Sequence, residues 1–225
     1  MELEEQYRIL RKQTKWAKLF FYQKTDVLYQ LTFKFTKEHL MKHGDRTVDQ
    51  MVQAARSGKQ NIVEGAEDGK TSMEMEIKLL NAARGSVHEL REDYEDYLKT
   101  RHLALWDEHH PRWEKMQQYC KTHNQWKDYE PLIQKMNAEE LANTALTLCH
   151  MVDKMMTSYQ KKLEKEFVTE GGIRERMTAA RLGYRTNQQQ EIAQLKQQLE
   201  QANRRIAALE AEIKRLKRIE ETRIV

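Results

Sequence analysis

RTVDQMVQAARSGKQNIVEGAEDGKTSMEMEIKLLNAARGSVHELREDYEDYL, residues 46 to 98, decides how the rest of the chain can be read. Apolar residues recur at helical spacing twice, at Val48, Met51, Ala55 and Ile62 and again at Leu80, Ala83, Val87, Leu90, Tyr94 and Tyr97, with turn residues between. Two amphipathic helices are therefore expected to meet at a short hairpin.

Start signals accompany both. Thr47 with Gln50, and Thr71 with Glu74, have capping-box spacing, in which a side-chain oxygen accepts from the third helical amide and the later side chain reaches back. Gly65 and Gly69 bracket the connection, where a chain leaving a helix often takes a positive φ, and the second helix is expected to end near Glu64. Gly58 and Gly85 fall inside the patterns, where glycine costs about 1 kcal/mol against alanine. That cost points to a close helix crossing, with Ala54, Ala55, Ala82 and Ala83 around it.

Working outward, Trp16, Phe20, Val27, Leu31 and Phe35, joined by Leu19 and Leu28, predict a first helix from about Lys15 to Met41, turned by His43, Gly44 and Asp45. The third helix runs from Ser72 to about Arg101. From Thr100 to Met136 the pattern loosens; Pro111 suits the start of a short helix, Pro131 reads as a break, and Trp106, Trp113 and Trp126 suggest a cap packed over one end. Asn137 with Glu140 opens a fourth long helix carrying Leu141, Ala145, Leu148, Val152, Met155, Tyr159, Leu163 and Phe167. The expected fold is all-α: an up-down four-helix bundle with a helical insertion and a C-terminal coiled-coil helix. Its divisions are a lead-in at 1–14, the bundle at 15–170 with the insertion at 100–136, a basic connector at 171–190 and the coil at 191–225.

Gly171 and Gly172 interrupt the fourth helix. Ile192, Leu195, Leu199, Ala202, Ile206, Leu209, Ile213 and Leu216 then occupy a and d sites of four heptads. With Ile192 at a, the g-to-e′ pairs are Glu191 with Lys196, Arg205 with Glu210 and Glu212 with Lys217, all of opposite sign. A parallel, in-register homo-oligomer satisfies each, and isoleucine mostly at a with leucine mostly at d favours two strands.

Only two prolines and eight glycines among 225 residues, with 33 % charged, agree with an almost wholly helical chain. No window has the roughly 18 apolar residues of a membrane span, and Met1 to Arg11 lacks a signal-peptide core, so a soluble cytoplasmic protein with no membrane partner is expected. Cys120 and Cys149 read as free thiols, with Cys149 on the buried side of its helix. From Gly171 onward, 3 Lys and 9 Arg stand against 7 Glu, a net +5 in a chain whose total is +4. Such a stripe suits nucleic acid or a plain solvated face.

Chemistry is harder to find. Glu89, Glu92, Asp93, Glu95 and Asp96 read as a solvated acidic face, since the inward Glu-x-x-His pairs of a di-iron bundle are absent from the helices. His102, His109, His110, Cys120 and His123 are zinc-binding types without the paired short spacings of a structural zinc site. No phosphate-cradling loop, nucleophile motif or His-Glu-x-x-His helix occurs. The expectation is a protein that is not an enzyme and takes no metal or other cofactor.

The segments QMVQAARSGKQNIVEG and EMEIKLLNAARGSVHELREDYEDYL resemble a bacterial four-helix-bundle family, which includes proteins encoded in intervening sequences of 23S ribosomal RNA genes and the accessory variability determinant of diversity-generating retroelements. Asn61 to Gly65 (NIVEG) and Arg84 to Leu90 (RGSVHEL) are its most specific marks; Phe167 to Met177 (FVTEGGIRERM) is similar to the four-helix-bundle suffix branch. The resemblance covers residues 15 to 185. It implies a homo-oligomer, pentameric in relatives of the retroelement protein, that binds structured RNA or another nucleic acid and a reverse transcriptase through a basic surface. The cations it offers are Arg46, Arg56, Lys59, Lys70, Lys78 and Arg84, and after the double glycine Arg174, Arg176, Arg181 and Arg185. Arginine suits phosphate through its bidentate fork. The nearly neutral bundle and a coil that prefers dimers depart from that pattern: either the coil tolerates five strands, or it links assemblies, or the family symmetry does not hold. The rival expectation is a scaffold whose coil, from Ile192 to Leu216, oligomerises or recruits protein partners without nucleic acid.

Overall fold

A computed structural model describes residues 7–40 and 46–223, with side chains through Arg218. The expected turn at His43, Gly44 and Asp45, with Met41, lies outside the described residues. A 3-10 turn at Trp16–Lys18 precedes α1 (Phe20–His39); then follow α2 (Arg46–Asp68), α3 (Met73–Thr100), α4 (Trp113–Thr122), α5 (Trp126–Ile133), α6 (Ala138–Glu170) and α7 (Ile173–Arg223). The protein is all-α, with no strand among the described residues. None of these helices is long and apolar enough to cross a membrane.

Two compact units divide the chain: Leu10–Ile173, and Met1–Ile9 with Arg174–Val225. In the larger, α2 packs along α3, α3 along α6, and α1 along both α6 and α2, closing a ring of four long helices around one core. Val27, Leu28, Leu31, Phe35, Leu90, Tyr94, Leu148 and Val152 are fully buried there. The Phe35 ring meets Tyr94 at 5.0 Å and Tyr97 edge-on at 4.7 Å. The Tyr94 hydroxyl, sealed in this core, donates to Thr32 Oγ1 at 3.0 Å, so its polar tip is satisfied.

The start of α1 is corrected. Phe20 is exposed and Phe21 takes the core position, because the chain enters α1 through the 3-10 turn and begins the helical phase late. Along α6, Met156 rather than Met155 is fully buried, and Phe167 is exposed where α6 runs past its neighbours. The Asn137–Glu140 capping box is present, each side chain reaching the other residue's amide at 3.0 and 2.9 Å. At α3 the cap is Ser72, one residue after the expected Thr71; its Oγ accepts from the Met75 amide at 3.2 Å.

The glycines divide differently from expectation. α2 continues to Asp68, and neither Gly65 nor Gly69 has a positive φ. A Cβ on Gly65 would stand 3.3 Å from Leu79 Cβ, one on Gly58 3.4 Å from Val87, and one on Gly69 would meet the Glu76 carboxylate. These three permit the α2–α3 approach. Gly85 is exposed with nothing within 4 Å of its would-be Cβ, and Ala82 is exposed too, so neither belongs to the crossing. Gly171 does turn left-handed, at φ 72°, to end α6.

The insertion packs on the long helices and adds Trp106, Met116, Cys120, Tyr129 and Ile133 to their core. α4 packs on α6 through Met116 and Cys120, and α5 on α1 through Tyr129 and Ile133. Pro131 lies within α5 and breaks nothing. The Trp106 amide donates to Asn143 Oδ1 at 2.8 Å and its ring nitrogen to Glu139 at 3.2 Å, tying the insertion's first loop to the start of α6.

Candidate nucleic-acid interface

The expected cations on α2 and α3 form no common patch. Lys59 Nζ lies 2.8 Å from Asp26 and 4.8 Å from the Tyr29 ring centre. Lys78 pairs with Glu74 at 2.6 Å, and Arg84 bridges to α6 through Asp153 at 2.8 Å and Gln160 at 3.0 Å. Arg84 is thus a strut between helices. Arg56 and Lys70 are exposed but lie on different parts of α2 and the turn after it.

Arg46 has the least suitable surroundings for a phosphate. It lines an open groove of about 730 Å³ with Asp49, Glu89, Glu92, Asp93 and Asp96. Burial raises the Asp93 carboxyl above its usual range, and the charges of Asp96, Glu89 and Glu92 push it the same way. A groove of this sign repels polyanions.

The α7 arginines differ. Arg174, Arg181 and Arg185 are exposed and make no hydrogen bond or ion pair among the described residues. Arg176 is half-buried; its Nε and one terminal nitrogen are shielded without an acceptor among the described residues, beside a hollow of about 340 Å³ lined by Tyr7, Arg8, Gly183 and Asn187. Tyr7 stacks edge-on against Tyr184 at 5.7 Å and accepts from the Asn187 amide. Farther along α7, Ile192, Leu195, Leu199, Ile206, Leu209, Ile213 and Leu216 are 52–62 % exposed, a continuous apolar stripe on which none of the described residues packs.

Other polar residues are employed inside the larger unit. His110 stacks on Trp106 at 4.6 Å and His123 on Tyr119 at 4.0 Å, while burial raises the Cys120 thiol to about 11. Among the described residues no three His, Cys, Asp or Glu side chains converge as metal ligands.

Two polar centres escape the sequence reading. Lys24 is buried and donates to the Cys120 and His123 carbonyls at the end of α4. Its position four after Phe20 and three before Val27, on the apolar arc, was the available signal. Arg11, on the lead-in, binds Glu76 and Glu166; no local pattern marks it. Comparison with protein-family models, curated proteins and solved structures finds no match.

Proposed function

We propose that this protein is a non-enzymatic homo-oligomer built on an up-down four-helix bundle, working in the cytoplasm, that binds structured RNA or another nucleic acid, or an RNA–protein complex of the reverse-transcriptase kind. The observation that carries the reading is the coincidence, on one helix, of exposed arginines at 174, 181 and 185 that have no partner among the described residues with an apolar seam from Ile192 to Leu216 that none of those residues covers. Arginine without a carboxylate partner is free to take phosphate, and a seam this long calls for another helix. The family resemblance supplies the RNA, the reverse transcriptase and the pentamer; the coil pattern by itself favours a dimer.

A second reading has its own support. Lys59, Lys78 and Arg84 are engaged by carboxylates and Arg46 lies among them, which favours a scaffold that oligomerises or recruits proteins through its coil and leaves nucleic acid alone. Light scattering separates the two, using the full chain and a truncation ending at Arg185, each with a structured RNA at two salt concentrations. RNA that comigrates and is released by salt supports the first reading. A truncated small oligomer that ignores RNA, beside a full-length oligomer that also ignores it, supports the scaffold.

A further inference from the structure

The heptad frame that defines the α7 seam can be counted backward from Ile192. Gln188 then falls at d, Arg185 at a, Arg181 at d, Thr178 at a and Arg174 at d. The stripe that is apolar below Ile192 is therefore cationic above it, on one uninterrupted helix from Ile173 to Arg223. All five of these side chains are exposed. Tyr7 covers a different side: it touches Tyr184, Asn187 and Gly183, at g, c and f, and leaves the arginine stripe open.

Charge and the extent of the apolar seam together fix how two copies pair. A fully overlapped antiparallel pair sets Lys196 against Lys217 and Glu191 against Glu212; a parallel pair slid by one heptad sets Arg205 against Lys217 and Glu212 against Glu210. Of these three only the in-register parallel pair makes each charged contact attractive; an antiparallel pair slid by one heptad also matches Lys196 with Glu210 and Glu191 with Arg205, but it sets Ile213 against Gln188 and Leu216 against Arg185 and so spoils the apolar seam. In that pair a faces a′ and d faces d′. Above Ile192 this would press Arg185, Arg181 and Arg174 each against its own copy; the flanking g and e′ sites of Arg181 and Arg185, Met177 with Leu182 and Tyr184 with Gln189, offer no carboxylate, and Glu175 at e beside Arg174 is a single one per copy against three stacked arginines. The two helices must part.

We propose that α7 is a forked dimerisation helix whose paired segment, Ile192 to Leu216, holds two diverging arms that grip duplex DNA through Arg174, Arg181 and Arg185. The inference rests on the nucleic-acid reading given above and names the nucleic acid that α7 takes. On the side that Tyr7 leaves open the arm presents a single helix, which with its side chains is about 10–12 Å across, and the major groove of B-form DNA is about 12 Å wide. The major groove of an A-form RNA duplex is deep and narrow and excludes it. The three arginines span about 16 Å of helix, on the face each arm turns toward the cleft. Helices that fork from a coiled coil across the major groove use the same polarity, basic segment first and paired segment after.

The test uses the full chain and fluorescence anisotropy with a labelled duplex DNA of about two helical turns, a duplex RNA of the same sequence, and a salt titration of each. Six arginines from two copies give a log–log salt slope of about −5 on DNA. Replacing Arg174, Arg181 and Arg185 together by Gln should weaken DNA binding by at least about tenfold and flatten the slope, with the helical circular dichroism unchanged. Replacing Leu199 and Leu209 together by Lys should separate the dimer by light scattering and bring the slope to about −3. Duplex RNA bound as tightly as DNA, or DNA binding indifferent to the three arginines, overturns the fork and leaves the nucleic-acid reading standing. Arginine-dependent binding by a chain that light scattering finds monomeric overturns it as well. No binding of either duplex or of a structured RNA overturns both.

Discussion

Arg11 Nη1 lies 2.7 Å from Glu76 Oε2, a carboxylate only 1 % exposed, and so closes the lead-in onto the start of α3. The same carboxylate accepts from the Tyr159 hydroxyl at 2.9 Å, while the other terminal nitrogen of Arg11 reaches Glu166 at 2.8 Å. One buried charge therefore joins the lead-in, α3 and α6. Arg11→Ala leaves Glu76 without its cation, and a broken buried pair costs about 3 kcal/mol. Urea denaturation should show that loss, and Glu76→Gln with Arg11→Met should recover most of it.

Lys24 makes a comparable tie between α1 and the insertion. Burial holds its ammonium below the usual lysine range, and Cys120 opposes that shift only in part. Lys24→Met keeps the stem but leaves the Cys120 and His123 carbonyls without their donor, at about 1–3 kcal/mol. Hydrogen exchange should speed up first across α4 and α5. Uniform acceleration over all helices would contradict a local tie.

The helical glycines predict opposite signs. Gly85→Ala adds a methyl into open space on a helix and should stabilise by about 0.5–1 kcal/mol. Gly58→Leu must displace Val87 and Ser86 at the α2–α3 contact and should destabilise by about 1–3 kcal/mol. Melting temperatures of the two variants, measured side by side, check this.

Acid should act through Asp153. Burial pushes its carboxyl up, but hydrogen bonds and charge from Arg84 and His88 outweigh burial and hold it below its ordinary value of 3.8. A depressed folded pKa stabilises at pH above the unfolded value and ceases to do so as pH falls through the folded one. Asp153→Asn should therefore lower stability at neutral pH and narrow the difference from the parent chain below pH 3.8, as read from urea midpoints across that range.

Asp93 has the reverse sign. Its folded pKa is raised, first by burial and then by Asp96, Glu89 and Glu92, so its charged form weakens the fold once pH rises through that value. Asp93→Asn should raise the melting temperature at neutral pH, and the gain should vanish in acid, where the parent carboxyl is protonated.

Periodicity and caps alone determined the long helices, the Asn137–Glu140 box and the apolar stripe of α7, because each depends on residues within a turn or two of one another. Tertiary packing decided what spacing does not encode: that Met156 is sealed while Met155 packs half-buried at the core's edge, that Gly65 needs space and Gly85 does not, and that Arg11 finds Glu76 across 65 residues. The same holds for the cations. Sequence placed Lys59, Arg84 and Arg174 in one class, and only folded neighbours separated them, since Asp26 and Asp153 come from other helices while no carboxylate among the described residues pairs with Arg174. A charge is free or spent according to what a distant part of the chain brings beside it, and that is a property of the fold.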